Sequence, residues 1–150
     1  MDKIDRAILD ELQQNARIRI TELAERVNLS PTPCARRVAA LEESGIIEQY
    51  ATILDQQKLG LPVSVFISVE LKDQTAASID AFEAHINDFE EIMEGYLMTG
   101  SRDFLLRVVT ADLQTYDKFL HDKLTVVPQV QSIRSRFAIR QLIRRSRLPL

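Results

Sequence analysis

The stretch Ser30-Pro31-Thr32-Pro33-Cys34-Ala35-Arg36-Arg37-Val38-Ala39-Ala40-Leu41-Glu42-Glu43-Ser44-Gly45 decides how the N-terminal part of this chain folds. Ser30 suits the N-cap of a helix, and Pro31 suits its first position, where a missing N–H is no loss. Gly45 is a natural stop, because it accepts the left-handed conformation that ends many helices. Between them, at about 100° per residue, Cys34, Val38 and Leu41 fall on one face. Thr32, Pro33, Arg36 and Ala40 fall on the opposite face, Arg37 lies at its flank, and no acid occurs before Glu42. The spacing predicts a helix with one buried stripe and an outer face that is small, polar and basic.

Towards the N-terminus, Ile4, Ile8, Leu9 and Leu12 recur at helical spacing from Lys3 to about Asn15. Asp2 and Asp5 sit where the positive end of the helix dipole favours them. A short helix is expected next, with Thr21 as its cap, Leu23, Ala24 and Val27 on its buried side, and Asn28 in a left-handed turn at its end. Helix, short helix, tight turn, helix is the order of a helix-turn-helix. Its last helix enters the major groove, where side chains near the N-terminus reach base edges and arginines read guanine or hold phosphates. Ser30, Thr32, Pro33, Arg36 and Arg37 are therefore the candidate contacts to double-stranded DNA; for the arginines the competing reading is a solvated helix surface. Cys34, on the buried stripe, reads as a packed small side chain and not as a redox switch.

Towards the C-terminus, Ile46 to Leu54 reads as two short extended pieces, a candidate wing without an Asn-Gly or Asp-Gly turn at its tip. Gln56 to Pro62 has weak periodicity and holds both a Gly and a Pro, which places a domain boundary there. Val63, Val65, Ile67, Val69 and Leu71 then alternate with Ser64, Phe66, Ser68 and Glu70, as in a strand with one face buried. A helix with Ala76, Ile79, Phe82 and Ile86 on one stripe follows. Next come a strand from Ile92 to Thr99, a turn at Gly100 to Asp103, and a strand from Phe104 to Val109. A helix capped by Asp112 and displaying Leu113, Tyr116, Leu120 and Leu124 leads into a last strand, Val130 to Ile139. The order βαββαβ is that of a ferredoxin-like sandwich, in which two helices cover one face of an antiparallel sheet and leave the other for a partner. The expected fold class is α+β: a winged helix-turn-helix domain over 1–60, with wing and linker at about 46–62, then a ferredoxin-like domain over 61–150.

Composition narrows the function. No apolar run reaches the roughly 20 residues that span a bilayer, and the sequence opens on a polar helix, so a cytoplasmic protein without membrane contact is expected. With one cysteine and two histidines, His85 and His121, a zinc site is short of ligands, and neither a metal nor a cofactor is expected. The net charge of −3 argues against a protein that coats nucleic acid indiscriminately, so DNA binding must rest on local geometry. The sequence from Arg134 onward carries six arginines and no acid. Pairing with acids such as Glu90, Glu91 and Glu94 across a subunit contact, solvation and contact with wrapped DNA are the readings open to them.

Taken together these residues resemble the leucine-responsive and asparagine regulator family, Lrp/AsnC, the feast/famine regulators. The resemblance covers essentially the whole chain. It is carried by Asp5-Arg6-Ala7-Ile8-Leu9, by Leu29 to Val38 with Leu41 to Ile47, by Thr99-Gly100-Ser101-Arg102-Asp103-Phe104-Leu105-Leu106-Arg107-Val108, and by the ending Leu148-Pro149-Leu150. It implies a nucleoid-associated transcription regulator that dimerises through its sheets, assembles further into octamers, and binds a free amino acid around the turn from Gly100 to Phe104. Gly100 permits close backbone approach there, the turn N–H groups suit a carboxylate, and Asp103 suits an α-ammonium. Met98, Thr99 and, from the last strand, Ser135 match positions that line the site in the family. Arg102 and Arg136 depart from the family pattern, and each can either hold a carboxylate or fill the pocket.

Two other classes compete. An architectural DNA-binding protein without a small-molecule response follows if Arg102 and Arg136 occupy the pocket. An enzyme is the remoter reading, because no nucleophile with a positioned base, paired acids or phosphate-cradling glycine loop is present.

Overall fold

Asp2 and Asp5 open the first helix by a reciprocal bond. The Asp5 N–H donates to the Asp2 carboxylate at 2.8 Å, and the Asp2 N–H donates to the Asp5 carboxylate at 2.9 Å, which satisfies two amides that a helix start leaves orphaned. The computed structural model describes residues 1–99 and 103–150, Asp103 by its backbone alone. The chain divides into two units, residues 1–53 with 142–150, and residues 54–141.

In the first unit, α1 (Lys3–Gln14), α2 (Ile20–Arg26) and α3 (Pro31–Glu43) enclose a core of Ile8, Leu9, Leu23, Ala24, Val27, Cys34, Val38 and Leu41. Contrary to the reading of Thr21 as a cap, α2 starts from an extended Arg19, and Thr21 lies inside its first turn. The reason is packing: Ile18 and Ile20 both lie against this core, which pulls the helix start upstream of the better capping residue. Asn28 does end α2 in the left-handed conformation, with φ 56°, and Gly45 ends α3 with φ 73°. No strand forms between 46 and 62, so the two expected extended pieces do not pair into a hairpin; no Asn-Gly or Asp-Gly turn lies between Ile46 and Leu54 to bring them together.

The last nine residues also belong to this unit. Gln13 on α1 grips the backbone of Leu148 at both polar groups, its Nε2 donating to the carbonyl and its Oε1 accepting from the N–H. Arg147 donates through Nε to Asp10 at 3.0 Å. Within the chain, Lys123 pairs with Glu91, Arg107 with Glu94 and Arg147 with Asp10.

In the second unit, β1 (Val63–Leu71), α4 (Ala76–Asn87), β2 (Ile92–Leu97), β3 (Asp103–Thr110), α5 (Leu113–Phe119) and β4 (Val130–Phe137) follow in the expected βαββαβ order. The antiparallel sheet has the order β2-β3-β1-β4, with β1 paired on both sides. The inner residues of β1 and β3, Val65, Ile67, Val69, Phe104, Leu106 and Val108, pack with Phe82 and Ile86 of α4 and with Tyr116 and Phe119 of α5. Each such burial contributes about 1.5–3 kcal/mol, which makes this cluster the main support of the unit. Thr75 caps α4 and Asp112 caps α5, each accepting a backbone N–H three residues on. The α5 stripe differs from expectation: Leu113 is exposed, whereas Phe119 is buried. Leu113 stands at the first helical position, off the packed stripe, and Phe119 follows Tyr116 by three residues, which puts those two on one face before the helix continues into a wider π turn at Leu120–Leu124.

Candidate nucleic-acid interface and effector loop

α3 presents the face that its spacing predicts. Cys34, Val38 and Leu41 are buried, whereas Ser30, Thr32, Pro33, Arg36 and Ala40 are exposed. Burial pushes the Cys34 thiol up from its ordinary pKa, which leaves it protonated and unreactive. Ser30 is the N-cap residue in extended conformation, yet its hydroxyl makes no capping bond. Pro31 and Pro33 have no N–H, and the Cys34 N–H donates to the Ser30 carbonyl at 3.2 Å, so the Ser30 hydroxyl and the Thr32 N–H are the donors that this first turn offers an anionic oxygen.

The two arginines of α3 are in different situations. Arg36 is exposed and has no side-chain hydrogen bond or ion pair among the described residues. Arg37 is half-buried, and its Nη1 donates to Asp2 and to Asp5, each at 2.7 Å. The Asp5 N–H, followed by the Arg37 guanidinium, holds the Asp2 carboxyl below the usual carboxylate range. Nothing in the periodicity of α3 signals this attachment. The pattern that does is an acid pair spaced for a capping box at the start of α1, with a cation on the flank of a helix packed beside it.

At the other candidate site, Gly100, Ser101 and Arg102 lie outside the described residues, and of Asp103 only the backbone is described, paired with Glu70. Met98 and Thr99 are exposed beyond the end of β2. Phe104 is buried instead, its ring 4.7 Å from that of Phe82, so its side chain belongs to the core. Between α4 and β2 lies a recess of about 270 Å³ lined by Glu83, Asn87, Glu94, Tyr96 and neighbours. Gly95 keeps this recess open at the sheet edge: a Cβ there would stand 3.3 Å from Leu106 and 3.7 Å from Ile86.

The last strand splits its candidates between two faces. Ser135 pairs with Ile67 and faces the helices, where its hydroxyl bonds that of Tyr116. Burial holds the Tyr116 phenol above its ordinary pKa, so it stands there as a neutral hydroxyl. Arg136 pairs with Phe66 and faces the uncovered side of the sheet, together with Arg134 opposite Ser68. β4 and β2 are at opposite edges with two strands between them, so Ser135 does not meet Met98 and Thr99 within one chain.

Comparison with known proteins bears on both units. Residues 1–48 match the profile of a winged helix-turn-helix DNA-binding domain, and residues 64–148 match that of the Lrp/AsnC ligand binding domain. The Bkd operon transcriptional regulator of Pseudomonas aeruginosa is 42% identical over 150 residues, covering 100% of this chain and 98% of that one. A leucine-responsive regulatory protein of Rhizobium meliloti is 39% identical, covering 95% and 91%. A transcriptional regulator from Neisseria meningitidis, solved as a complex with L-Met, superposes with a TM-score of 0.94 at 34% identity, covering 99% and 96%. Likeness of this extent, running through both units and nearly the full length of each relative, makes the chain a member of the Lrp/AsnC family of DNA-binding transcription regulators.

Proposed function

We propose that this regulator reads DNA through the exposed face of α3 and responds to a free amino acid held at the loop between β2 and β3. The observation that carries the proposal is the division of α3 itself. One side is sealed into the core, and the other offers Thr32, Pro33 and an Arg36 that has no partner to surrender among the described residues. Thr32, Pro33 and Arg36 are assigned to the major groove and Ser30 to a phosphate. We assign residues 1–60 to the reading domain, with the linker at 46–62, and the sensing and assembling domain to 61–141 of the expected 61–150, since 142–150 are clasped to the helical unit.

The effector class follows from the chemistry of the loop. An amino acid carries a carboxylate and an ammonium a few ångströms apart; turn amides at Gly100 and Ser101, with Arg102, suit the first, and Asp103 suits the second. Met98, Thr99 and Phe104 flank the loop, and Ser135 is assigned to the pocket through an assembly of subunits. The L-Met complex of the Neisseria relative supports this class of ligand. The assembly we assign is a homodimer closed through the uncovered sheet face, grouped further into octamers. The effector then acts by favouring one assembly over another, which changes how several DNA half-sites are engaged.

A salt-controlled gel shift on the protein's own upstream DNA, with and without a pool of amino acids, tests both halves. Specific shifts that change with the pool are expected. Specific binding that ignores the pool, together with a silent calorimetric titration against each amino acid, would leave an architectural protein and sink the sensor. Asp103→Asn is expected to weaken effector binding on the order of tenfold, about 1.4 kcal/mol.

A further inference from the structure

We infer that Arg37 is a positioning residue for DNA reading: it locks α3 to the start of α1 through Asp2 and Asp5, leaving base and phosphate contact to Arg36 and its neighbours. The lock is a closed ring of four bonds. Asp2 uses Oδ1 to accept the Asp5 N–H and Oδ2 to accept Arg37; Asp5 uses Oδ2 to accept the Asp2 N–H and Oδ1 to accept Arg37. Each carboxylate is thus oriented by the helix start before the guanidinium arrives, so the place for Arg37 is made by the backbone of α1.

Two consequences separate Arg37 from its neighbour. Both bonds of Arg37 leave from Nη1, each at 2.7 Å, so only Nη2 and Nε remain for a phosphate and only in the direction that the lock allows, whereas Arg36 has no bond to give up among the described residues. Side-chain exposure is 34% for Arg37 and 17% for Asp5, so the join is partly shielded. Because successive residues on a helix are turned by about 100°, fixing the direction of Arg37 fixes the directions of Arg36, Pro33 and Thr32. An ion pair this near the surface adds little to folding stability, so its effect is to be sought in where the reading side chains point.

The inference rests on α3 being the DNA-reading element, and the experiment keeps the two apart. A duplex is selected from a random pool by the full-length wild-type protein, and affinity for it is divided by affinity for a scrambled duplex. Asp2→Asn/Asp5→Asn leaves Arg37 in place and keeps side chains that can cap α1, but removes both charges that hold it. If Arg37 positions α3, this ratio falls about tenfold, comparable to one mismatched base pair, and Arg37→Lys, which reaches the same carboxylates with a point charge, retains part of it. A direct DNA contact predicts the reverse, since freeing the guanidinium would leave the ratio unchanged or raise it. Arg37→Ala gives a second reading through the salt dependence of binding. An unchanged slope supports positioning, and a slope reduced by about 0.9 overturns it. Circular dichroism on each variant confirms that the helices remain. If the wild-type protein enriches no duplex, the inference falls together with the reading of α3; if it does and the double variant keeps its ratio, the inference falls alone.

Discussion

Gln13 holds Leu148 at both ends of its peptide polarity, accepting the N–H at 2.6 Å and donating to the carbonyl at 3.3 Å across 135 residues of sequence. A side-chain amide that meets a backbone this way does what a neighbouring strand would do, and it ties residues 142–150 to α1. Gln13→Ala removes both bonds, at on the order of 1 kcal/mol in total. Limited proteolysis is expected to release the tail from the variant well before it cuts the wild type; equal rates would show that Arg147 and Asp10 alone hold the tail.

Leu23 is wholly buried at the meeting of the three helices, in a core of only eight buried side chains. Leu23→Ala should therefore cost about 2–5 kcal/mol, a large share of what so small a unit has. Chemical denaturation followed by far-ultraviolet dichroism is expected to show the helical transition moving to lower denaturant, with the sheet unit's transition kept.

Gly45 takes φ +73°, and a Cβ placed there meets nothing within 4 Å. Gly45→Ala is consequently a test of backbone strain alone, expected to destabilise by about 1–2 kcal/mol. Gly95→Ala has the opposite character: its φ is ordinary and its new methyl presses on Leu106 and Ile86. If Gly45→Ala has no effect on the thermal midpoint, α3 ends in some other way.

Tyr50 donates its hydroxyl to Glu42 at 2.8 Å, and burial, aided by this carboxylate, pushes the phenol up to about 12. The unfolded chain ionises this phenol near 10 and the folded chain only near 12, so the contribution is whole below pH 10 and is lost as pH rises towards 12. Tyr96 and Tyr116 are raised as well, so the Tyr50 step is read by subtracting the phenolate absorbance of Tyr50→Phe from that of the wild type, and the difference should rise near 12. Part of the alkaline loss of stability should vanish in the same variant; a difference that rises near 10 would show that Glu42 and burial do not hold this phenol.

Much of the fold was legible because its periods are clean. β1 alternates without a break and, like β3, is paired on both sides, so burial on one face acts on every second residue. α3 was legible through Pro31 and Gly45, whose backbone preferences act locally. The stripe of α5 was legible only in part, since Leu113 is apolar yet exposed at the first helical position, while Phe119, three residues after Tyr116, is buried. The clasp of Gln13 on Leu148 was not, because a contact between residues so far apart leaves no periodic trace.

The DNA site divides in the same way. Exposure of Thr32, Pro33 and Arg36 follows from helical geometry, but the engagement of Arg37 depends on which oxygens Asp2 and Asp5 have left over after closing their own ring. In the other unit, the family resemblance implied that Ser135 and the turn ending at Phe104 line one pocket. The sheet puts them on strands that are not neighbours, and Phe104 spends its side chain on Phe82.

The helical unit is assembled from residues 1–53 and 142–150, with the sheet unit's residues lying between them in the chain. On a ribosome its three helices emerge before the sheet, and α1 must wait for its clasp until the sheet sequence has been synthesised. The helical unit is thus opened before the sheet unit and closed after it. A nascent chain stalled short of Leu148 would carry a helix-turn-helix without its fastening.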